Sequence, residues 1–163
     1  MKILIVYYSR TGHVEKVANA MEKALTTRGN EVRLIQVKDL QKRQGAIGFI
    51  KGGFHAFKEK QTKIECPQID IQSYDLVFLG TPIWAGKITP AILTFFQKYH
   101  RFISNSYWFF NSSGKDISQA IKQVEWISDK KMPSYCHVLD KELKDTSCDL
   151  NEKMESFLKS CHV

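Results

Sequence analysis

The 163-residue sequence predicts an α/β domain built on a parallel sheet with helices on both faces. Three observations carry that expectation. Five short runs rich in apolar residues are separated by segments whose apolar residues recur at helical spacing. The first run, ILIVYY, is apolar without interruption, as a strand covered on both faces must be. The intervening segments are also long enough for the right-handed crossovers that parallel strands require.

Taken in order, the first strand gives way to Val14, Val17, Ala18, Met21 and Leu25, a helical stripe that ends at Gly29-Asn30, a suitable C-cap. EVRLIQV (31–37) alternates as a second strand. YDLVFLG (74–80) is a short apolar third strand bounded by glycine. Ile92, Phe95, Phe96 and Tyr99 form the next helical stripe, entered through Pro90. SYWFFNSSG is a fourth strand running into a loop of small residues. Ile117, Ala120, Ile121 and Val124 mark a helix, SYCHVLD a fifth strand, and Leu150, Met154, Phe157, Leu158 and Cys161 a terminal helix. No repeat or low-complexity tract interrupts this alternation, and the length suits one domain over 1–163.

Composition narrows the class. Hydrophobic residues make up 43% and charged residues 25%, the mix of an ordinary folded protein. No apolar stretch is long enough for a bilayer-spanning helix, and the chain opens on a strand rather than a signal peptide, so a cytoplasmic location is expected. Cys66, Cys136, Cys148 and Cys161 are scattered without a CxxC pair, which reads as reduced thiols and no metal site. The formal charge is +7, and Lys38–Lys63 concentrates it, with seven basic residues against two acidic ones. Such a patch attracts anions or an acidic partner, or is simply a solvated face. No nucleic-acid-binding motif accompanies it.

In open parallel sheets, ligands bind beyond the carboxyl ends of the strands. Three loops lie there. SRTGHV (9–14) enters a helix whose free N–H groups and dipole favour an anion. Ser9 and Thr11 add hydroxyls, Arg10 adds charge, and Gly12 lets the backbone come close. Neither GxGxxG nor GxxxxGK[ST] is present, so the anion expected is a terminal phosphate monoester. The alternative is an ordinary N-cap, for which one hydroxyl suffices. GTPIWAGKITP (80–90) places Trp84 outside any periodic stripe, which reads as an exposed platform for a planar ligand or as a lid over the core edge. NSSGKD (111–116) offers hydroxyls and an amide, while Asp116 either joins them or caps the next helix. A monophosphate cradle, an aromatic platform and a polar clamp together describe a mononucleotide with a large planar ring.

At this level the sequence resembles the flavodoxin family. SRTGHV resembles that family's phosphate signature, TPIWAGKITPAI its second loop, and FFNSSG the strand and loop that follow. The resemblance implies a three-layer flavodoxin-like sandwich whose five-stranded parallel sheet has the order 2-1-3-4-5. It implies non-covalent FMN, with phosphate contacts from Ser9, Arg10, Thr11, Gly12, His13 and Val14. Ribityl and ring contacts would come from Thr81, Pro82, Ile83, Trp84, Ala85 and Gly86, and from Asn111, Ser112, Ser113 and Gly114.

Three departures shape the functional expectation. His13 and Val14 stand where the family usually has Asn and Thr, and His13 is placed to donate a replacement bond to phosphate. The third loop lacks the second ring-stacking aromatic, which leaves one ring face open to a substrate or covered by Phe49, Phe54 or Phe57 of the segment 45–60. That segment reads equally as a loosely packed helix with its phenylalanines in the core. The basic charge differs from that of acidic flavodoxins and favours an acidic protein partner or a small anionic acceptor. The resemblance implies electron carriage between redox partners. The alternatives are an FMN-dependent NAD(P)H:quinone-type oxidoreductase and a flavin-free binding or signalling module.

Overall fold

The computed structural model describes residues 1–41, 61–144 and 149–163. Its strands are β1 (Lys2–Tyr7), β2 (Glu31–Gln36), β3 (Lys38–Asp39), β4 (Ile64–Glu65), β5 (Leu76–Trp84), β6 (Lys87–Ile88), β7 (Ser106–Ser112) and β8 (Tyr135–Leu139). The helices are α1 (His13–Thr27), α2 (Pro90–Tyr99), α3 (Ser118–Ser128) and α4 (Leu150–Ser160). The long strands run parallel in the order β2-β1-β5-β7-β8, which is 2-1-3-4-5 when only they are counted. The fold is flavodoxin-like, as the resemblance implied.

Burial explains why the first strand is apolar throughout. Ile3, Leu4, Ile5 and Val6 have no exposed surface. Because side chains alternate across a strand, Leu4 and Val6 join Val77, Leu79, Trp108 and Phe110 under α2 and α3. Ile3 and Ile5 join Phe78, Phe109 and Val138 under α1 and α4. The helical stripes close these two cores: Val14, Val17, Ala18, Met21 and Leu25 from α1, and Ile92, Phe95 and Phe96 from α2.

Local chemistry sets the helix ends. After α1, Asn30 N–H bonds to Leu25 O (3.2 Å) and Gly29 N–H to Thr26 O (2.9 Å), with Gly29 at φ +79°; this is the Schellman closure expected of Gly29-Asn30. Pro90 opens α2 at its first turn. Asp149 caps α4 by accepting from Asn151 N–H at 2.8 Å. Asp116 accepts Ser118 N–H at 2.9 Å, and that backbone bond holds its carboxyl below the usual range; it satisfies the first amide of α3 from the residue before the N-cap, Ile117.

Two features differ from the sequence reading. The first is the small antiparallel pair β3–β4, joined at Lys38↔Glu65 and Asp39↔Ile64. The second is the segment 80–90, read above as a loop. Strand β5 continues through Trp84 and turns back into β6, pairing Ile83 with Ile88 and Trp84 with Lys87. The two-residue turn has Ala85 at φ +49° and Gly86 at φ +78°, the signs a type I′ hairpin demands. The turn is hard to read from sequence because Ala replaces the usual Asn or Asp at its first position. Segment 45–60, with Phe49, Phe54 and Phe57, lies outside the described residues, as does most of the basic stretch 38–63 and Cys148.

Candidate functional site

The carboxyl ends of β1, β5, β7 and β8 surround a cavity of about 720 Å³. It is lined by Ser9, Arg10, Thr11, His13 and Val14, by Pro82, Ile83, Trp84 and Ala85, and by Asn111, Ser112, Ser113 and Asp140. The three loops singled out in the sequence therefore meet at one end of the sheet. Its volume lies within the range of small-molecule and cofactor sites. A second cavity, of about 480 Å³, opens at the amino ends of β7 and β8, away from these loops.

The first loop combines a cap with an opening. Gly12, at φ +83°, is the N-cap of α1 and carries no side-chain cap. A Cβ built there would meet no atom within 4 Å, so backbone conformation, not crowding, calls for glycine. Ser9 Oγ accepts the N–H of Glu15 at 3.3 Å, which satisfies one amide of the first turn. Among the described residues nothing accepts the N–H of His13 or Val14. A helix end in this state is suited to an anion.

The second loop is more deeply seated than the sequence suggested. Trp84 is buried, not exposed: it is 8% accessible and belongs to the core cluster with Ile88 and Ala91. The extension of β5 into a hairpin puts it there. Its ring meets Tyr8 edge-on, with centroids 5.7 Å apart, and the Arg10 guanidinium stands 6.0 Å from its centroid. Thr81 does not line the cavity. It is fully buried, accepts Thr89 N–H at 3.2 Å and lies 2.9 Å from Thr89 Oγ1, tying the base of the hairpin to the start of α2. Gly12, Gly86 and Gly114 also lie outside the lining. Behind the hairpin, Gln119 Oε1 stands 3.0 Å from where a Gly86 Cβ would sit, and Gln123 Oε1 accepts Ile88 N–H at 3.0 Å.

The third loop is held from β8. Asn111 is buried and donates through Nδ2 to Val138 O at 3.0 Å. The Ser112 hydroxyl donates to Gly114 O (2.6 Å) and accepts from His137 Nε2–H (2.7 Å), which uses each proton once. Burial, with help from Lys153 and against Glu142, holds the His137 pKa below the ordinary imidazole value. A base depressed in the folded chain gives stability that is whole above its unfolded pKa and is lost as pH falls through the folded one. The melting temperature is therefore expected to fall on acidification below pH about 6.5, and His137→Gln to remove part of that fall. Matching melting curves for the two proteins across that range would show His137 to be a bystander.

Sequence reasoning missed Asp140. It follows β8, a strand whose end the sequence reading did not consider, and pairs with His13 across 127 residues: Nδ1 and Oδ1 are 2.9 Å apart. Elsewhere the titratable groups are structural. Burial pushes the thiols of Cys136 and Cys161 up to about 12 and about 11, as expected of inert core cysteines. Among the described residues no cluster of His, Cys, Asp and Glu could hold a metal ion, and no helix is long and apolar enough to cross a membrane.

Comparison with known proteins adds identity to this geometry. An NAD(P)H dehydrogenase (quinone) of Chromohalobacter salexigens is 32% identical over 100 residues, covering 60% of this chain and 46% of the relative. The chain thus spans about half the length of the curated relatives it matches. Among solved structures, a flavoprotein from Lactobacillus acidophilus in complex with FMN has a TM-score of 0.69 at 23% identity, covering 88% of this chain and 96% of that one. Oxidised flavodoxin 1 from Bacillus cereus has a TM-score of 0.60 at 12% identity, covering 99% and 98%. These likenesses are of fold. The NADPH-dependent FMN reductase family matches this chain over residues 1–113, and that match supports FMN as the cofactor. With more than half of its length inside that match, the chain belongs to the NADPH-dependent FMN reductase family.

Proposed function

We propose that the cavity holds FMN and that the protein is an FMN-dependent oxidoreductase passing electrons from a nicotinamide to a quinone-type acceptor. The observation that carries this reading is the convergence of the three loops on one cavity whose lining contains Trp84 as its sole aromatic ring of the Phe, Tyr or Trp type among the described residues. FMN, when bound, supplies the hydride and single-electron chemistry. The chain's part is to bind and orient it. Ser9, Arg10, Thr11, His13, Val14 and the N-cap at Gly12 would take the phosphate, where open amides and the helix dipole favour negative charge. Pro82, Ile83, Trp84, Ala85 and the turn at Gly86 would border the ring, with Thr81 bracing them from behind. Asn111, Ser112 and Ser113, shaped by Gly114, would face the remaining polar edge. Among the described residues no second aromatic from 111–114 stacks on the ring, which leaves the outer face on that side for a nicotinamide and then an acceptor.

The quinone dehydrogenases among the relatives support this order of substrates. Electron carriage between proteins is the second reading, favoured by the whole-length likeness to a flavodoxin. Anaerobic stopped-flow mixing of the FMN-loaded protein with NADPH or NADH separates the two. Bleaching of the flavin within seconds, reversed by a soluble quinone, is the expected result. A flavin that stays oxidised with both nucleotides would move the reading to the carrier. A chain that takes up no flavin would move it to a binding module.

A further inference from the structure

Asp140 looks misplaced in an anion site. It is the only carboxylate lining the cavity among the described residues, and it shares that lining with the loop at the start of α1. Its position is nevertheless well determined. The backbone N–H of Asp140 donates to Ser112 O at 2.9 Å, and its side chain lies 2.9 Å from His13 Nδ1, so it joins the third loop to the first.

We propose that Asp140 is a positioning residue that makes His13 the reader of an anionic phosphate monoester; this rests on the FMN reading above. By accepting from Nδ1–H, Asp140 fixes one proton on that nitrogen and holds the ring in place, so that a second proton, when carried, sits on Nε2 and makes that atom a donor. Without the second proton, Nε2 presents a lone pair and repels a dianionic phosphate. Coulomb energy falls with distance, so a carboxylate in contact with the imidazole outweighs its own repulsion of a phosphate farther away. The other charged groups near His13 are Arg10 on its own loop and Glu15 and Lys16 in the first turn of α1. Lys115 and Asp116, between β7 and α3, do not line the cavity, and Glu142 after β8 is engaged with Lys153 at 2.8 Å.

The consequence is selectivity. Riboflavin shares the ring and ribityl chain of FMN and lacks the phosphate, so the ratio of the two affinities reports the phosphate end alone. Above pH about 7 the phosphate is already dianionic, its second pKa being near 6. A fall in FMN affinity at higher pH then follows the imidazolium. Kd values for FMN and riboflavin would be measured by fluorescence quenching between pH 6.5 and 9 for wild type, Asp140→Asn and His13→Gln. In wild type the FMN-to-riboflavin preference is expected to drop about tenfold across that range. In Asp140→Asn, whose amide oxygen can still accept from Nδ1–H, the preference is expected to be low and flat, with riboflavin affinity unchanged. His13→Gln should match it.

Tighter FMN binding by Asp140→Asn at every pH would show that the carboxylate merely repels and would overturn the proposal. So would equal losses for FMN and riboflavin, the mark of a purely structural role, or a wild-type preference independent of pH. Failure of wild type to bind either flavin would overturn the FMN reading, and this proposal with it.

Discussion

Gly80→Ala is expected to destabilise the chain by about 3 kcal/mol, near the top of the usual range for overpacking a core. Gly80 lies in β5, opposite Tyr7 of β1 on one side and Phe109 of β7 on the other. The Phe109 ring folds across it: a Cβ at Gly80 would stand 2.1 Å from Cζ and 2.3 Å from Cε2. Those separations cannot be absorbed by a few tenths of an ångström. Phe109 is 1% exposed and packs with Phe78, Cys136 and Val138, so the ring has no free volume to enter. Against this, Gly→Ala lowers the entropy of the unfolded chain and stabilises by about 0.4–1 kcal/mol. Steric conflict wins. Urea denaturation of the apoprotein measures the difference, and the double variant Gly80→Ala/Phe109→Leu should recover part of it. A loss below about 1 kcal/mol would mean that the sheet yields where the packing says it cannot. Gly80 immediately precedes Thr81–Trp84, so FMN affinity should fall as well and recover in the double variant.

How much of this was legible in the sequence depends on the range of the determining interaction. The long strands were readable because burial on both faces leaves a continuous apolar run, and β1 has one. Gly29-Asn30 and Pro90 were readable because caps are local chemistry. The first and third loops could be placed at one end of the sheet from topology alone. The hairpin was hidden by its turn: Ala85-Gly86 takes two positive φ angles without the Asn or Asp that advertises them. Once the strand is extended through Trp84, that side chain is carried into the core, so its apparent exposure was an artefact of ending β5 at Gly80. Thr81 came into the expected site through the resemblance alone, and in the structure its hydroxyl is engaged by Thr89. Asp140 carried one signal, an acid closing the last strand. Its meaning depends on His13, and no local pattern joins residues so far apart.

Trp84→Ala is expected to have the largest effect on the site itself, and the buried position makes it act twice. Removing a buried Trp typically costs about 3–5 kcal/mol; the low end is expected here, because one side of the vacated space opens on the cavity and can fill with water. The cofactor effect is separate. An aromatic contact contributes about 0.5–1.5 kcal/mol beyond the area it covers, and each ~1.4 kcal/mol is tenfold in affinity, so loss of that contact alone should weaken FMN binding roughly twofold to tenfold. Trp84→Phe distinguishes the two effects. It keeps an apolar ring against Tyr8 and should cost less than about 1.5 kcal/mol in stability, while its smaller face recovers most of the affinity. Circular dichroism on the apoproteins and flavin fluorescence titrations provide the two readouts. If Trp84→Ala folds and binds FMN as wild type does, Trp84 is a core residue at the cavity edge and no platform. In that case the ring must be held by the Ala85 turn and by 111–113. A loss confined to FMN binding, with stability intact, would instead mean that the packing against Tyr8 and Arg10 contributes little and that Trp84 is held in place for the cofactor.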